Sequence, residues 1–170
     1  MPNIVAARID NRLVHGQIVN HWAKATGANL ILVANDEASQ DRFRQGLMNM
    51  VIPAYASVRY FDLDKTIDII HQASEDQKIF LIVETPADAV KLVENGVSVE
   101  KFNVGNLAWK RGKKQISPAV ALSPKDLEDL IRLQSLGTTV EFQQTPNSPM
   151  IDLDQVLESE NDSIQPLQAA

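Results

Sequence analysis

Residues 78 to 88, K-I-F-L-I-V-E-T-P-A-D, decide the fold. Ile79 to Val83 is an unbroken apolar run, too short for a helix of its own and rich in β-branched residues. It therefore reads as a strand, Lys78 to Val83, covered on both faces. A helix follows at once. Thr85 offers a capping hydroxyl, Pro86 presets φ at the first helical position, and Asp88 places an acid in the first turn. Gly96 closes that helix. A doubly buried strand running straight into a helix is half of a βαβ unit.

The same grammar extends in both directions. Toward the N-terminus, Asn3–Ile9 is strand-like and Gly16–Thr26 is helical, with Ile18, Val19, Trp22 and Ala25 on one face. Asn29–Ala34 is a second buried strand. Asp41–Met50 is a helix with Phe43, Leu47 and Met50 along one side, and Val58–Phe61 is a short strand. Lys65–Ser74 is a helix with Ile67 and Ile70 inward and Asp64 as its cap. Toward the C-terminus, Phe102–Val104 is a short strand and Gly105–Lys114 a polar loop. Gln115–Leu122 reads as an edge strand because it contains Pro118. Ser123-Pro124 starts a helix closed by Gly137, and Thr138–Phe142 is the last main strand. Asp152–Leu157 reads as a short helix. The expected organisation is one domain over residues 1–157 and a poorly ordered, acid- and Ser-bearing tail over 158–170.

Alternating strands and helices imply right-handed crossovers. The expected fold class is therefore α/β: an open, mainly parallel twisted sheet with helices on both faces and a small antiparallel edge element. Sheets of this kind bind ligands beyond the carboxyl ends of their strands.

Composition narrows the function. The chain has 170 residues, 44% of them hydrophobic, with 16 Lys and Arg against 22 Asp and Glu for a net charge of −6. That balance disfavours broad nucleic-acid binding, which needs a basic face. With no cysteine, disulfides, thiolate nucleophiles and Cys-ligated metals are excluded. No apolar run approaches a membrane span and no signal peptide is evident, so the expected location is cytoplasmic. No metal-ligand spacing or Gly-rich nucleotide fingerprint is visible.

The densest strand-end loop is the first: Arg8-Ile9-Asp10-Asn11-Arg12-Leu13-Val14-His15-Gly16-Gln17. A neutral imidazole is a good nitrogen nucleophile near pH 7. Arg8 and Arg12 would disfavour a third positive charge and so keep the ring neutral. Guanidinium groups also fork onto phosphoryl oxygens, and the N–H groups opening the next helix add anion donors. Composition by itself leaves plainer roles open. His15 could be merely solvated, and the arginines could form ordinary ion pairs with Asp10.

The wording of the loop carries further. R-I-D-N-R-L-V-H-G-Q closely resembles the phosphorylation loop of the enzyme IIB components of the mannose/fructose/sorbose family of the bacterial phosphotransferase system. Val33-Ala34-Asn35-Asp36-Glu37 and Asn103-Val104-Gly105-Asn106-Leu107 resemble two further segments of that family, and the likeness covers about residues 1–157. M-P-N-I-V and G-A-N-L-I-L-V-A-N-D-E (27–37) are most similar to members serving N-acetylgalactosamine or galactosamine uptake. The resemblance implies a protein-histidine/sugar phosphotransferase without metal or other cofactor. His15 would take a phosphoryl group from a IIA phosphohistidine and deliver it to a hexose or amino-hexose held by the membrane components IIC and IID. It implies Arg8 and Arg12 as phosphoryl clamps, backbone N–H donors from Gly16 and Gln17, and Asp10 as the residue that orders the loop. It also implies membrane attachment only through partners, at the inner face, and by family likeness the δ1 nitrogen as acceptor.

Other residues have lesser claims. His21 and His71 read as structural or surface residues. Trp109-Lys110-Arg111-Gly112-Lys113-Lys114 is the one basic cluster, either a solvated hairpin tip or a docking edge for an acidic phosphoryl-bearing partner. The competing class is a receiver-type signalling domain phosphorylated on an aspartate, with Asp10, Asp62 and Thr85 at the expected strand ends. It lacks the paired acids after the first strand and the lysine after the fifth.

Overall fold

The computed structural model describes residues 2–160. Its strands are β1 (Asn3–Asp10), β2 (Leu30–Ala34), β3 (Ser57–Phe61), β4 (Lys78–Val83), β5 (Lys101–Asn106), β6 (Lys114–Ser117), β7 (Val120–Leu122), β8 (Thr139–Phe142) and β9 (Ile151–Asp152). Its α-helices are α1 (Ile18–Thr26), α2 (Arg42–Asn49), α3 (Leu63–Ile69), α4 (Pro86–Glu94) and α5 (Pro124–Ser135), and residues 153–160 are helical too. Seven strands form one sheet in the order β3-β2-β4-β1-β5-β8-β9. All neighbours are parallel except the edge pair β8 and β9. β6 and β7 form a separate antiparallel pair. The α/β expectation and its small antiparallel element are both met.

Side-chain alternation divides the core in two. Ile9, Leu32, Leu81, Val104 and Val140 face α3, α4 and α5 in the larger cluster. On the other face, Ile31, Val33, Phe80 and Ile82 pack with Val19 and Ala23 of α1 and Met48 of α2. The covering of this second face is uneven. β2, β4 and β1 lie under α1 and α2, whereas β5 and β8 turn Asn103 and Glu141 to the same side.

Several expectations need correction. α3 is capped by Asp62, whose carboxylate accepts from Lys65 N, and not by Asp64. Phe43, Leu47 and Met50 are 79%, 54% and 80% exposed, so the apolar stripe of α2 faces outward. Polar anchors set that rotation: Gln45 Nε2 donates to Ala38 O, and Tyr60 Oη donates to Asn49 Oδ1, leaving Met48 as the helix's buried side chain. Gln115–Leu122 is a hairpin of β6 and β7 rather than one strand, because Pro118 and Ala119 occupy its turn. β5 runs on through Gly105 and Asn106, which shortens the polar loop. The helix at 153–160 includes the first residues of the expected tail; 161–170 lie outside the described residues.

Candidate active site

The chain moves to one side of β1 through β2, β3 and β4, then to the other side at β5. The carboxyl ends of β1 and β5 therefore frame the crevice where strand order reverses. Asn11 N donates to Asn106 O at 2.8 Å and Asn106 Nδ2 donates to Asn11 Oδ1 at 2.9 Å, tying the two strand ends together. The segment from Asp10 to Gln17 is built on this tie.

Asp10 organises the loop. It is fully buried, and its two oxygens hold three partners. Oδ1 accepts from the backbone N–H of Arg12 at 2.9 Å, the local turn that aspartate favours. Oδ2 accepts from Arg8 Nε at 3.1 Å and contacts His15 Nε2 at 3.0 Å. A carboxylate oxygen accepts, so the contact assigns the proton of a neutral His15 ring to Nε2 and the lone pair to Nδ1. Two left-handed residues make the path possible: Leu13 at φ 59° and Gly16 at φ 53°. Glycine adopts this region freely, whereas a leucine there is held against strain by its burial with Val14 in the α1–α2 core.

α1 begins at Ile18, three residues after His15, and its cap position, Gln17, supplies no side-chain acceptor. Gly16 and Gln17 are exposed beside the helix's first N–H groups, a ready anion cradle. Arg12 is exposed and makes no ion pair among the described residues.

Arg8 lies elsewhere than expected. It is 1% exposed, with Nε on Asp10 and Nη1 on the carbonyls of Gln143 and Gln144 at 3.3 and 3.1 Å. Its guanidinium lies 5.9 Å from the Trp22 ring centre, and Trp22 Nε1 donates to Gln144 O. Burial lowers its pKa from the ordinary arginine value, and Asp10 opposes that shift. The guanidinium is thus enclosed and does not face the solvent side of His15. In this structure its hydrogen bonds go to Asp10 and the Gln143–Gln144 backbone rather than into the space beside His15. Gly105 makes room for it: a Cβ there would fall on the Arg8 guanidinium.

The basic cluster divides as well. Trp109 is 61% exposed and Lys110 and Arg111 are exposed, but Lys113 pairs with Asp126 at 3.1 Å and Lys114 with Glu160 at 2.8 Å. Asp62 and Thr85, the acid and switch threonine of the competing reading, cap α3 and α4. His21 and His71 are exposed, and His21 lies on α1 beyond the loop. Among the described residues no group of His, Asp and Glu comes together as a metal-ligand set, and no helix is long and apolar enough to cross a membrane. The supports contributed by Asn106, Gly105, Trp22 and the Gln143–Gln144 backbone were not assigned from sequence. The only hint was that Asn103–Leu107 stood out as a segment.

Sequence and fold likeness place the chain in a class of α/β sugar phosphotransferase components. The family described as "PTS system sorbose subfamily IIB component" matches residues 4–166, and the chain belongs to that family, whose members are phosphotransferases of sugar uptake. It is 45% identical over 157 residues to the N-acetylgalactosamine-specific phosphotransferase enzyme IIB component 2 of Escherichia coli, covering 92% of this chain and all of that one. It is 32% identical to the sorbose-specific EIIB component of Klebsiella pneumoniae, over 88% of this chain and 92% of that one. The crystal structure of the N-acetylgalactosamine-specific IIB component 1 from E. coli superposes with a TM-score of 0.85 at 42% identity, covering 87% of this chain and 97% of that one.

Proposed function

We propose that His15 is the phosphoryl acceptor of this IIB component and that Nδ1 is the atom phosphorylated. The observation that carries the reading is the contact of Asp10 Oδ2 with His15 Nε2, which leaves Nδ1 free. In the first transfer the Nδ1 lone pair attacks phosphorus on a IIA phosphohistidine. The donor's P–N bond breaks, and its ring leaves with the electron pair. His15 now bears phosphorus on Nδ1 and a proton on Nε2, so its ring is cationic. The Asp10 carboxylate stabilises that charge at 3.0 Å, as the buried aspartate of a catalytic triad does. The helix N–H groups and the Arg12 guanidinium receive the phosphoryl oxygens. In the second transfer a sugar hydroxyl takes the phosphorus, the new P–N bond breaks, and the hydroxyl proton is released.

The sugar of this reading is N-acetylgalactosamine or galactosamine, supported by the names of the relatives above. The partners are a IIA phosphocarrier and the membrane components IIC and IID, with the chain at the inner face of the membrane through them. Residues 1–157 form the single phosphocarrier domain. The test is transfer of radiolabelled phosphoryl from phosphorylated IIA to the purified chain. The expected adduct forms without magnesium and is lost in acid. An adduct that needs magnesium and is cleaved by hydroxylamine would establish an aspartyl phosphate instead.

A further inference from the structure

Residues 42–61, R-F-R-Q-G-L-M-N-M-V-I-P-A-Y-A-S-V-R-Y-F, contain three arginines and no acid, in a chain with 22 Asp and Glu and a net charge of −6. The stretch forms α2, the turn after it and β3 at one edge of the sheet. Phe43, Leu47 and Met50 of α2 and its cap, and Tyr55 of the turn, are exposed. Phe43 and Met50, at 79% and 80% exposure, stand proud of the surface.

Helical geometry orders the side chains. Positions 43, 47 and 50 fall on one line of an α-helix, and Met50 still has helical φ −64° and ψ −23°. At ~100° per residue, Arg42 and Arg44 lie roughly 90–110° to either side of that line. The buried Met48 points to the opposite half of the helix, and the hydrogen bonds of Gln45 and Tyr60 hold this rotation. Neither Arg42 nor Arg44 makes an ion pair among the described residues. The acids nearest in sequence stand before the helix. Asp36 and Asp41 accept the backbone N–H groups of Leu63 and Arg44, and Glu37 is exposed.

An exposed apolar patch of this kind marks a contact surface. Its shape is a ridge, with an apolar crest and a cation on each flank. That form fits a medium that yields around it. The acyl boundary of a bilayer takes the crest, and anionic headgroup phosphates take the guanidinium groups. Topology gives the contact a use. β1 and β2 both run parallel to β4, so the loops after them leave the same edge of the sheet. α2 runs back from that edge toward the start of β3, which makes Phe43 the end of the crest nearest the His15 loop.

We propose that α2 docks directly on an anionic lipid bilayer through Phe43, Leu47 and Met50, with Arg42 and Arg44 on headgroup phosphates. The contact is independent of the role given to His15. Only its purpose, holding the phosphoryl loop at the membrane plane, rests on that reading.

The experiment is flotation of the unphosphorylated full chain with protein-free vesicles, made of phosphatidylglycerol and phosphatidylcholine in equal parts or of phosphatidylcholine alone. The chain should float with the anionic vesicles at low salt, and about tenfold less with the neutral ones or in about 0.5 M NaCl. Phe43→Ser with Met50→Ser should lower the bound fraction about tenfold at an unchanged urea midpoint, because both side chains are exposed. Arg42→Gln with Arg44→Gln should reduce binding to the level seen with neutral vesicles. Flotation needs no phosphoryl transfer, so phosphoryl labelling of the same preparation tells its failure from failure of the His15 reading. No flotation with anionic vesicles, or flotation that survives both double substitutions, would overturn the proposal. A concentration-dependent dimer that Phe43→Ser with Met50→Ser abolishes would overturn it in favour of a second copy of the chain. Binding only to vesicles that contain IIC and IID would overturn it in favour of a protein partner.

Discussion

Asp10 Oδ2 lies 3.0 Å from His15 Nε2, five residues further along the chain. The contact fixes the ring's orientation, with Nε2 on the carboxylate and Nδ1 on the far edge of the ring. Asp10→Asn keeps the shape but removes the charge that, in the proposed mechanism, steadies a phosphorylated ring. Hydrogen bonds to charged groups are worth about 1.5–3 kcal/mol, so phosphoryl transfer should fall roughly ten- to a hundredfold. Single-turnover transfer from phosphorylated IIA measures this, and an unchanged rate would remove Asp10 from the mechanism.

The two arginines should separate cleanly. Arg12→Ala removes an exposed guanidinium and should slow transfer by about ten- to a hundredfold while changing stability by less than ~0.5 kcal/mol. Arg8→Ala leaves Asp10 buried without its cation and should cost roughly 3–5 kcal/mol of stability. Urea unfolding beside transfer kinetics checks both. Equal stability loss in the two variants would contradict the placement of Arg8.

Gly105→Ala tests the same support from the neighbouring strand. The added methyl falls on the Arg8 guanidinium and must displace it. The expected cost is about 1–3 kcal/mol, together with slower transfer because Asp10 loses its anchor. A variant with wild-type stability and rate would show that Arg8 is free to rearrange.

These contrasts show how far the sequence could be read. The strand-helix rhythm was legible because Ile79–Val83 and Leu30–Ala34 are buried on both faces and leave no alternative period. Asp10, Arg12 and His15 were legible because they adjoin in one loop. The burial of Arg8 was not legible because its partners, Gln143 and Gln144, lie more than 130 residues away and act through backbone carbonyls, which no side-chain pattern marks. The outward turn of Phe43, Leu47 and Met50 was hidden for a similar reason: Tyr60, on another element, sets the helix rotation through a hydrogen bond.

Acid conditions should single out Asp88. Burial raises its pKa above the ordinary value of 3.8; Thr85 opposes this, and Glu84 and Asp36 add to it. Its folded value exceeds its unfolded one, so its contribution to stability is present below the unfolded value and is lost as pH rises through the folded one. Asp88→Asn should therefore be more stable than the parent at pH 7, with the advantage shrinking toward about pH 3.5. Urea midpoints at the two pH values test this, and a less stable variant at pH 7 would contradict it.

The most direct test is to locate the phosphoryl group itself. The chain is phosphorylated through its upstream carriers, digested under alkaline conditions that preserve phosphohistidine, and mapped by mass spectrometry, with phosphorus NMR to distinguish the ring nitrogens. The account predicts a single site at His15 Nδ1, no label in a folded His15→Ala variant, and full labelling in His21→Ala and His71→Ala. Label on another residue, label on Nε2, or label surviving in His15→Ala would contradict it.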